Sequence, residues 1–192
     1  SRLAIALPVQ KRPAILIRDV ATGRVLQQLL GHQEAVTALA FNHAGNRLVS
    51  GSQDKTLRVW DLVDAKFAEI ASLEHPGPLT AVAFNKEGSQ VFGASSDNAI
   101  HQWNLADQSE LRLLSGHTAA ISSLVPAGDL LISGAADNSV RSWNLTTGAA
   151  AGNIANTMAV TSLAVSPDGA TVAAGSADNT IRLWNRASGA AI

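Results

Sequence analysis

His32, Ser50 and Asp54 are the residue types of a nucleophilic triad, a base, a hydroxyl and a carboxylate to orient the base, and His117, Ser133 and Asp137 supply the set a second time. Duplication argues against catalysis. An active site is normally unique, whereas a folding device recurs, and a nucleophilic serine needs exposure and an oxyanion site besides. Polar groups between packed strands must instead be paired with one another, and a histidine, a hydroxyl and a carboxylate can do this as a buried relay. Metal chemistry fares no better. His32, His75 and His117 fall one to a repeat, none with a second histidine, cysteine or carboxylate at ligand spacing, so no metal and no cofactor is expected. His43 is read as an exposed turn residue and His101 as an outward strand residue.

The elements that position these residues follow from four tryptophans, Trp60, Trp103, Trp143 and Trp184, spaced 43, 40 and 41 residues apart. Each closes a run of one pattern: DKTLRVW, DNAIHQW, DNSVRSW and DNTIRLW. Upstream lie small-residue steps (SGSQD, GASSD, SGAAD, AGSAD) and a Gly-His pair or its remnant at Gly31-His32, Glu74-His75 and Gly116-His117. Alternation of apolar and polar residues predicts strands inside each unit. In the first full unit these are Ala35 to Phe41, Leu48 to Gly51, Thr56 to Asp61 and Phe67 to Leu73. Gly45, Gly88, Gly128 and Gly169 mark the first turn of successive units, where positive φ is easiest for glycine. The third unit is two residues shorter, a deletion placed at Pro126 to Gly128.

A Gly-His to Trp-Asp repeat with a period of about 40 to 45 residues resembles the WD-repeat β-propeller family. The resemblance implies an all-β fold, a β-propeller of four-stranded antiparallel blades. Residues 1–31 are read as a degenerate partial blade, 32–74, 75–116 and 117–155 as full blades, and 156–192 as a last, incomplete one. Three full and two partial blades make an arc of a larger ring of about seven. The resemblance also assigns a structural hydrogen-bond tetrad to each blade: His32, Ser50, Asp54 and Trp60 in the first full blade, and His117, Ser133, Asp137 and Trp143 in the third. The second keeps His75, Asp97 and Trp103 but has Gly93 at the hydroxyl position. The last keeps Asp178 and Trp184, with Asn156 and Ala174 in the other two places. Family contact surfaces map onto Gln33, Glu34, Gln53, Gly77, Ser96, Thr118, Ala119, Ala136, Met158 and Ala177.

Composition narrows the function classes. The 192 residues are 46% hydrophobic and 15% charged, enough apolar material for a core. Fourteen Lys and Arg against fifteen Asp and Glu leave a net charge of -1 without a block of like charges, which argues against nucleic acid and anionic membrane as partners. No apolar run approaches the ~20 residues of a membrane helix, so no membrane insertion is expected. The missing signal-peptide pattern slightly favours the cytoplasm over export. The expected function is a non-enzymatic protein–protein interaction scaffold that uses loop faces to assemble a complex. Its partners would be other proteins, and further blades or another copy of the chain would cover its open ends. The alternative is a structural propeller domain of a larger bacterial enzyme or electron-transfer protein; alanine-rich repeats with DGA-type turns suggest the bacterial source.

Overall fold

The computed structural model describes residues 1–7, 12–63 and 67–192. Strands β1 (Arg2–Leu7), β2 (Ala14–Asp19) and β3 (Val25–Leu30) form the first antiparallel sheet. Three four-stranded sheets follow: β4 (Val36–Phe41) to β5 (Arg47–Ser52), β6 (Thr56–Asp61) and β7 (Ala68–Glu74); β8 (Leu79–Phe84) to β9 (Gln90–Ser95), β10 (Ile100–Asn104) and β11 (Glu110–Leu114); and β12 (Ile121–Ala127) to β13 (Leu130–Ala135), β14 (Ser139–Asn144) and β15 (Ala150–Ala155). The last sheet holds β16 (Val160–Val165), β17 (Thr171–Ser176) and β18 (Ile181–Asn185), with a bridge from Trp184 to Ala191 beginning a further strand. The chain is thus all-β, built as propeller blades, and the full ones are here numbered one to three.

Strand positions agree with the alternation in sequence to within a residue or two. Phe67 is the main exception: it sits at φ 43 in the turn, and β7 starts at Ala68. In blade three the shortened turn is Gly128–Asp129, and Pro126 lies inside β12, paired with Leu131. Proline is tolerated there because β12 is the inner edge strand of its sheet.

Every sheet is apolar on both faces, so each needs a neighbour on each side. Val49, Leu57, Val59, Ala71 and Leu73 of blade one pack on Leu79, Val82, Phe84, Val91 and Trp103 of blade two. The pattern repeats: Phe92, Ala94, Ile100 and Leu114 meet Leu131 and Trp143, while Ile132 and Val140 meet Val172, Ala174 and Trp184. Each blade therefore has a leading face and a tryptophan face, joined leading to tryptophan. The first sheet obeys the rule, its Ile15, Ile17 and Leu29 covering Leu48 and Trp60.

A bulge interrupts the inner hairpin of each of the last four sheets, and in blades one and three it locks the blade to the next one. The register slips between Val36 and Ala38, which turns Thr37 out of the ladder so that its Oγ1 donates to the Leu79 carbonyl of the next blade at 2.7 Å. Ser122 does the same to the Val160 carbonyl at 2.6 Å. Blade spacing is set by small residues: a Cβ on Gly51 would lie 2.8 Å from both Leu79 Cβ and Val82 Cγ1. Gly51→Ala is therefore expected to cost about 1 to 3 kcal/mol through overpacking between blades one and two, read as a lower denaturant midpoint; an unchanged midpoint would show that the interface is loosely packed.

Candidate functional site

In blade one, the loop before β4 carries His32 over the sheet, and the β5–β6 turn brings Asp54 beneath it. Trp60 Nε1 donates to Ser50 Oγ at 2.9 Å, Ser50 Oγ lies 2.7 Å from His32 Nε2, and His32 Nδ1 lies 2.9 Å from Asp54 Oδ2. The direction follows from chemistry. An indole can only donate, so the serine passes its own proton to Nε2 and the imidazole donates from Nδ1 to the carboxylate. Asp54 also accepts from the Gln33 amide at 2.8 Å and from Thr56 Oγ1 at 2.6 Å. Burial pushes the Asp54 carboxyl up, but hydrogen bonds from Thr56, Gln33 and His32 outweigh it and hold it at about 2. Blade three reproduces the network, with Trp143 to Ser133 at 2.8 Å, Ser133 to His117 at 2.7 Å and His117 to Asp137 at 2.8 Å. Ser50 and Ser133 are wholly buried, and each oxygen already accepts from an indole. Neither can reach a substrate, so both sets are hydrogen-bond relays that tie a loop to a sheet.

Blade two departs from the tetrad read in the sequence. With no side chain at Gly93, the His75 ring occupies the vacancy, so that a Cβ there would lie 2.6 Å from His75 Nε2. Trp103 Nε1 donates directly to His75 Nε2 at 3.3 Å, and His75 Nδ1 is buried without a partner. Asp97 does not meet His75. It meets His101, Nε2 to Oδ2 at 2.8 Å, while His101 Nδ1 lies 2.6 Å from Glu110 Oε1. The expectation of an outward His101 is thus corrected: the residue is buried and stands edge-on to His75 at 4.7 Å. Sequence carried a signal for this, since the same position is Arg58, Arg141 and Arg182 in the other repeats. His43, by contrast, is exposed in its turn as expected.

The last blade also finds a substitute cation. Asn156 stands where the histidine would be and its Nδ2 donates to Ser176 Oγ at 3.1 Å, whereas Asp178 is held by Arg182 Nη2 at 2.8 Å and by Thr157 and Thr180. These bonds lower the Asp178 carboxyl, the arginine contributing most. The residue after each tryptophan works only as an acceptor. Asp61, Asn104, Asn144 and Asn185 each take an amide proton from two residues on, which explains why asparagine replaces aspartate freely.

Of the contact residues expected from the resemblance, Gln33, Glu34, Gln53, Ser96, Thr118, Ala136, Met158 and Ala177 are exposed and Ala119 is half-buried. Gly77 is the exception. It is buried beneath the Ser96 side chain, leaving no room for a partner to touch it. At the opposite end, the first turns of blades one to three and of the last blade border an open cavity of about 550 Å³ lined by Phe41, His43, Lys86, Pro126, Pro167 and Arg186. Residues so far apart in sequence gave no local signal of it.

The repeats match the family described as "WD domain, G-beta repeat" over residues 23–61, 67–104, 108–144 and 152–185. The chain belongs to the WD-repeat family. It is 48% identical over 48 residues to the periodic tryptophan protein 2 homolog of Schizosaccharomyces pombe, covering 25% of this chain and 6% of that protein. To the U3 small nucleolar RNA-associated protein 21 of Saccharomyces cerevisiae it is 45% identical over 49 residues, 26% of this chain and 5% of that one. The mitochondrial division protein 1 of Pyricularia oryzae is 28% identical over 135 residues, 70% of this chain and 19% of its own length. The chain thus spans less than a fifth of each of these relatives. All three are eukaryotic, so the expected bacterial source is not supported.

Two outcomes follow from the WD-repeat tetrads. Trp60→Phe removes the donor to Ser50 and should lower stability by about 1 to 3 kcal/mol, while Trp103→Phe, whose bond is long and whose ring is only half-buried, should cost less. Burial, then the neighbouring His101, depresses the His75 imidazole to about 4 against the opposing pull of Asp97. The unfolded chain then binds more protons at this site between about pH 6.5 and 4, so the stability His75 contributes is fully present above that window and falls by about 3 kcal/mol as pH drops through it. His32 and His117 are depressed too and add in the same direction. Urea midpoints from pH 7.5 to 4 test this, and a flat profile would refute a neutral buried His75.

Proposed function

We propose that this WD-repeat segment is a non-enzymatic scaffold that contacts other proteins through the loops at the histidine end of its blades and so assembles a complex. The observation that carries the reading is the fate of the reactive residue types: the recurrent serine–histidine–aspartate sets are consumed in buried relays, and the exposed loops remain as the surface able to select a partner. Gln33, Glu34 and Gln53 of blade one, Ser96 of blade two, Thr118, Ala119 and Ala136 of blade three, and Met158 and Ala177 of the last blade are the residues proposed to contact it. The net charge of -1 and the lack of a basic block favour protein over RNA as the contact, even though one relative is named for association with a small nucleolar RNA. A second reading, a structural propeller domain whose chemistry lies elsewhere in a larger protein, is favoured by the several-fold greater length of the relatives.

The partners proposed for the two outer sheets follow from the face rule. Leu57, Ile100 and Val140 are 0%, 0% and 2% exposed, yet Ile181 at the same repeat position is 76% exposed on the leading face of the last sheet. Leu3, which corresponds to the buried Leu48, is 49% exposed on the other outer face. Further blades, or the complementary face of another copy, fit these surfaces. The 192-residue chain is expected to self-associate, with Ile181→Asp shifting it toward monomer; light scattering showing a soluble monomer for both would count against a blade-like cover. The loop surface is tested separately: Gln33→Ala with Gln53→Ala should weaken capture of a partner by about 10-fold at an unchanged unfolding midpoint, and unchanged capture would move the contact to another face.

A further inference from the structure

We propose that blade two is a proton-controlled clasp, in which the His101 ring ties the Asp97 turn to Glu110 of the outer strand and so governs how firmly the loops of that blade are held. The geometry is specific to this blade. Its counterpart in blade one is an Arg58–Glu69 ion pair at 2.6 Å, and the last blade uses Arg182 on Asp178; a guanidinium stays charged at any pH a cell experiences. Blade two puts an imidazole in the same position, the side chain whose ordinary titration lies between pH 5 and 8. Carboxylate oxygens lie against both ring nitrogens, at 2.8 Å from Asp97 and 2.6 Å from Glu110. Both bonds form together only when both nitrogens carry hydrogen. Loss of one proton turns a lone pair toward a carboxylate, and one end of the clasp is released.

Two carboxylates and a second imidazole reach the ring from three different elements, the carboxylates favouring its protonation and the imidazole opposing it. Asp97 approaches from the β9–β10 turn, Glu110 from β11 and His75 from the loop before β8, while the face of blade one packed on Trp103 presents Leu57, Val59, Ala71 and Leu73. No arginine or lysine touches either carboxylate among the described residues, so the His101 ring is the group that joins them. Release would also free the His75 ring, which Gly93 alone accommodates and which leans on His101 at 4.7 Å. The turn carrying Asp97 begins with Ser95, whose Oγ donates to Asp97 at 2.8 Å, and includes Ser96, which covers Gly77. Opening therefore loosens both loops at the histidine end of blade two, leaving those of blades one and three in place.

Amide hydrogen exchange of the whole chain from pH 6 to 8.5, corrected for intrinsic exchange, decides the matter. Protection across β9 to β11 should fall by about 10-fold or more relative to blades one and three as pH rises. His101→Arg should abolish that difference and keep blade two protected throughout. The clasp is overturned if the three blades respond to pH alike, or if the arginine variant responds as the natural chain does. Should that variant fail to fold, the imidazole resonances of the natural chain serve instead: the titration of His101 must follow the loss of protection, and protection that changes at a different pH refutes the proposal.

Discussion

A sheet that is apolar on both faces cannot stand alone in water, and the architecture follows from that constraint. Each full blade has a leading face of mainly aliphatic side chains and a tryptophan face, and burying one against the other removes apolar area at about 25 cal/mol per Å². Because the two faces differ, blades add in one sense only. The inner strands converge, and the residues that set their spacing are small: Gly51 lies against Leu79 and Val82, and Gly134 against Val160. The bulges at Val36/Ala38 and Ile121/Ser123 serve the same packing, since they deliver Thr37 and Ser122 to carbonyls of the next blade as well as of their own.

Packing fixes how blades stand to each other but leaves their loops untied, and the polar networks supply that tie. The invariant element across the four tryptophan-bearing blades is a turn aspartate met by a nitrogen base or cation, while the source of the nitrogen changes. His32 and His117 arrive from the preceding loop; His101 and Arg182 arrive from the strand itself, two residues before the tryptophan. In both repeats that lack the histidine–aspartate bond, another nitrogen group stands within reach of the turn aspartate. The last blade shows the same economy at the far end of the chain: Asn156 has no charge to offer, and the guanidinium of Arg182 takes over.

What was legible in the sequence was whatever depends on spacing along the chain. Strands, turns and the blade-one and blade-three tetrads all sit at fixed offsets from a tryptophan, and the alternation from Ala35 to Phe41 or the run DNSVRSW is enough to place them. The His75 part of the blade-two network was not legible because it depends on volume. Removing a hydroxyl at position 93 was visible as a lost bond, but its consequence, a histidine moving into the vacancy and surrendering its aspartate to a neighbour, exists only when the ring is fitted into the space. The burial of Gly77 under Ser96 and the cavity at the first turns are of the same kind. They join segments that no periodicity connects.

The same reasoning explains why the reactive residue types did not amount to an active site. A serine–histidine–aspartate geometry is produced whenever a hydroxyl, an imidazole and a carboxylate must satisfy one another in a confined space, and the distances in blade one, 2.7 and 2.9 Å, are those a triad would also show. The deciding group is the fourth. Trp60 places an N–H on the serine oxygen, the atom that would have to attack, and closes it beneath an indole that is itself buried. Adding a donor there converts a nucleophile into a link. The loops above the relay, such as those of Gln33 and Thr118, have their amides fixed on the aspartates below while their side chains face solvent. The buried relay holds the proposed contact surface in place without taking part in it.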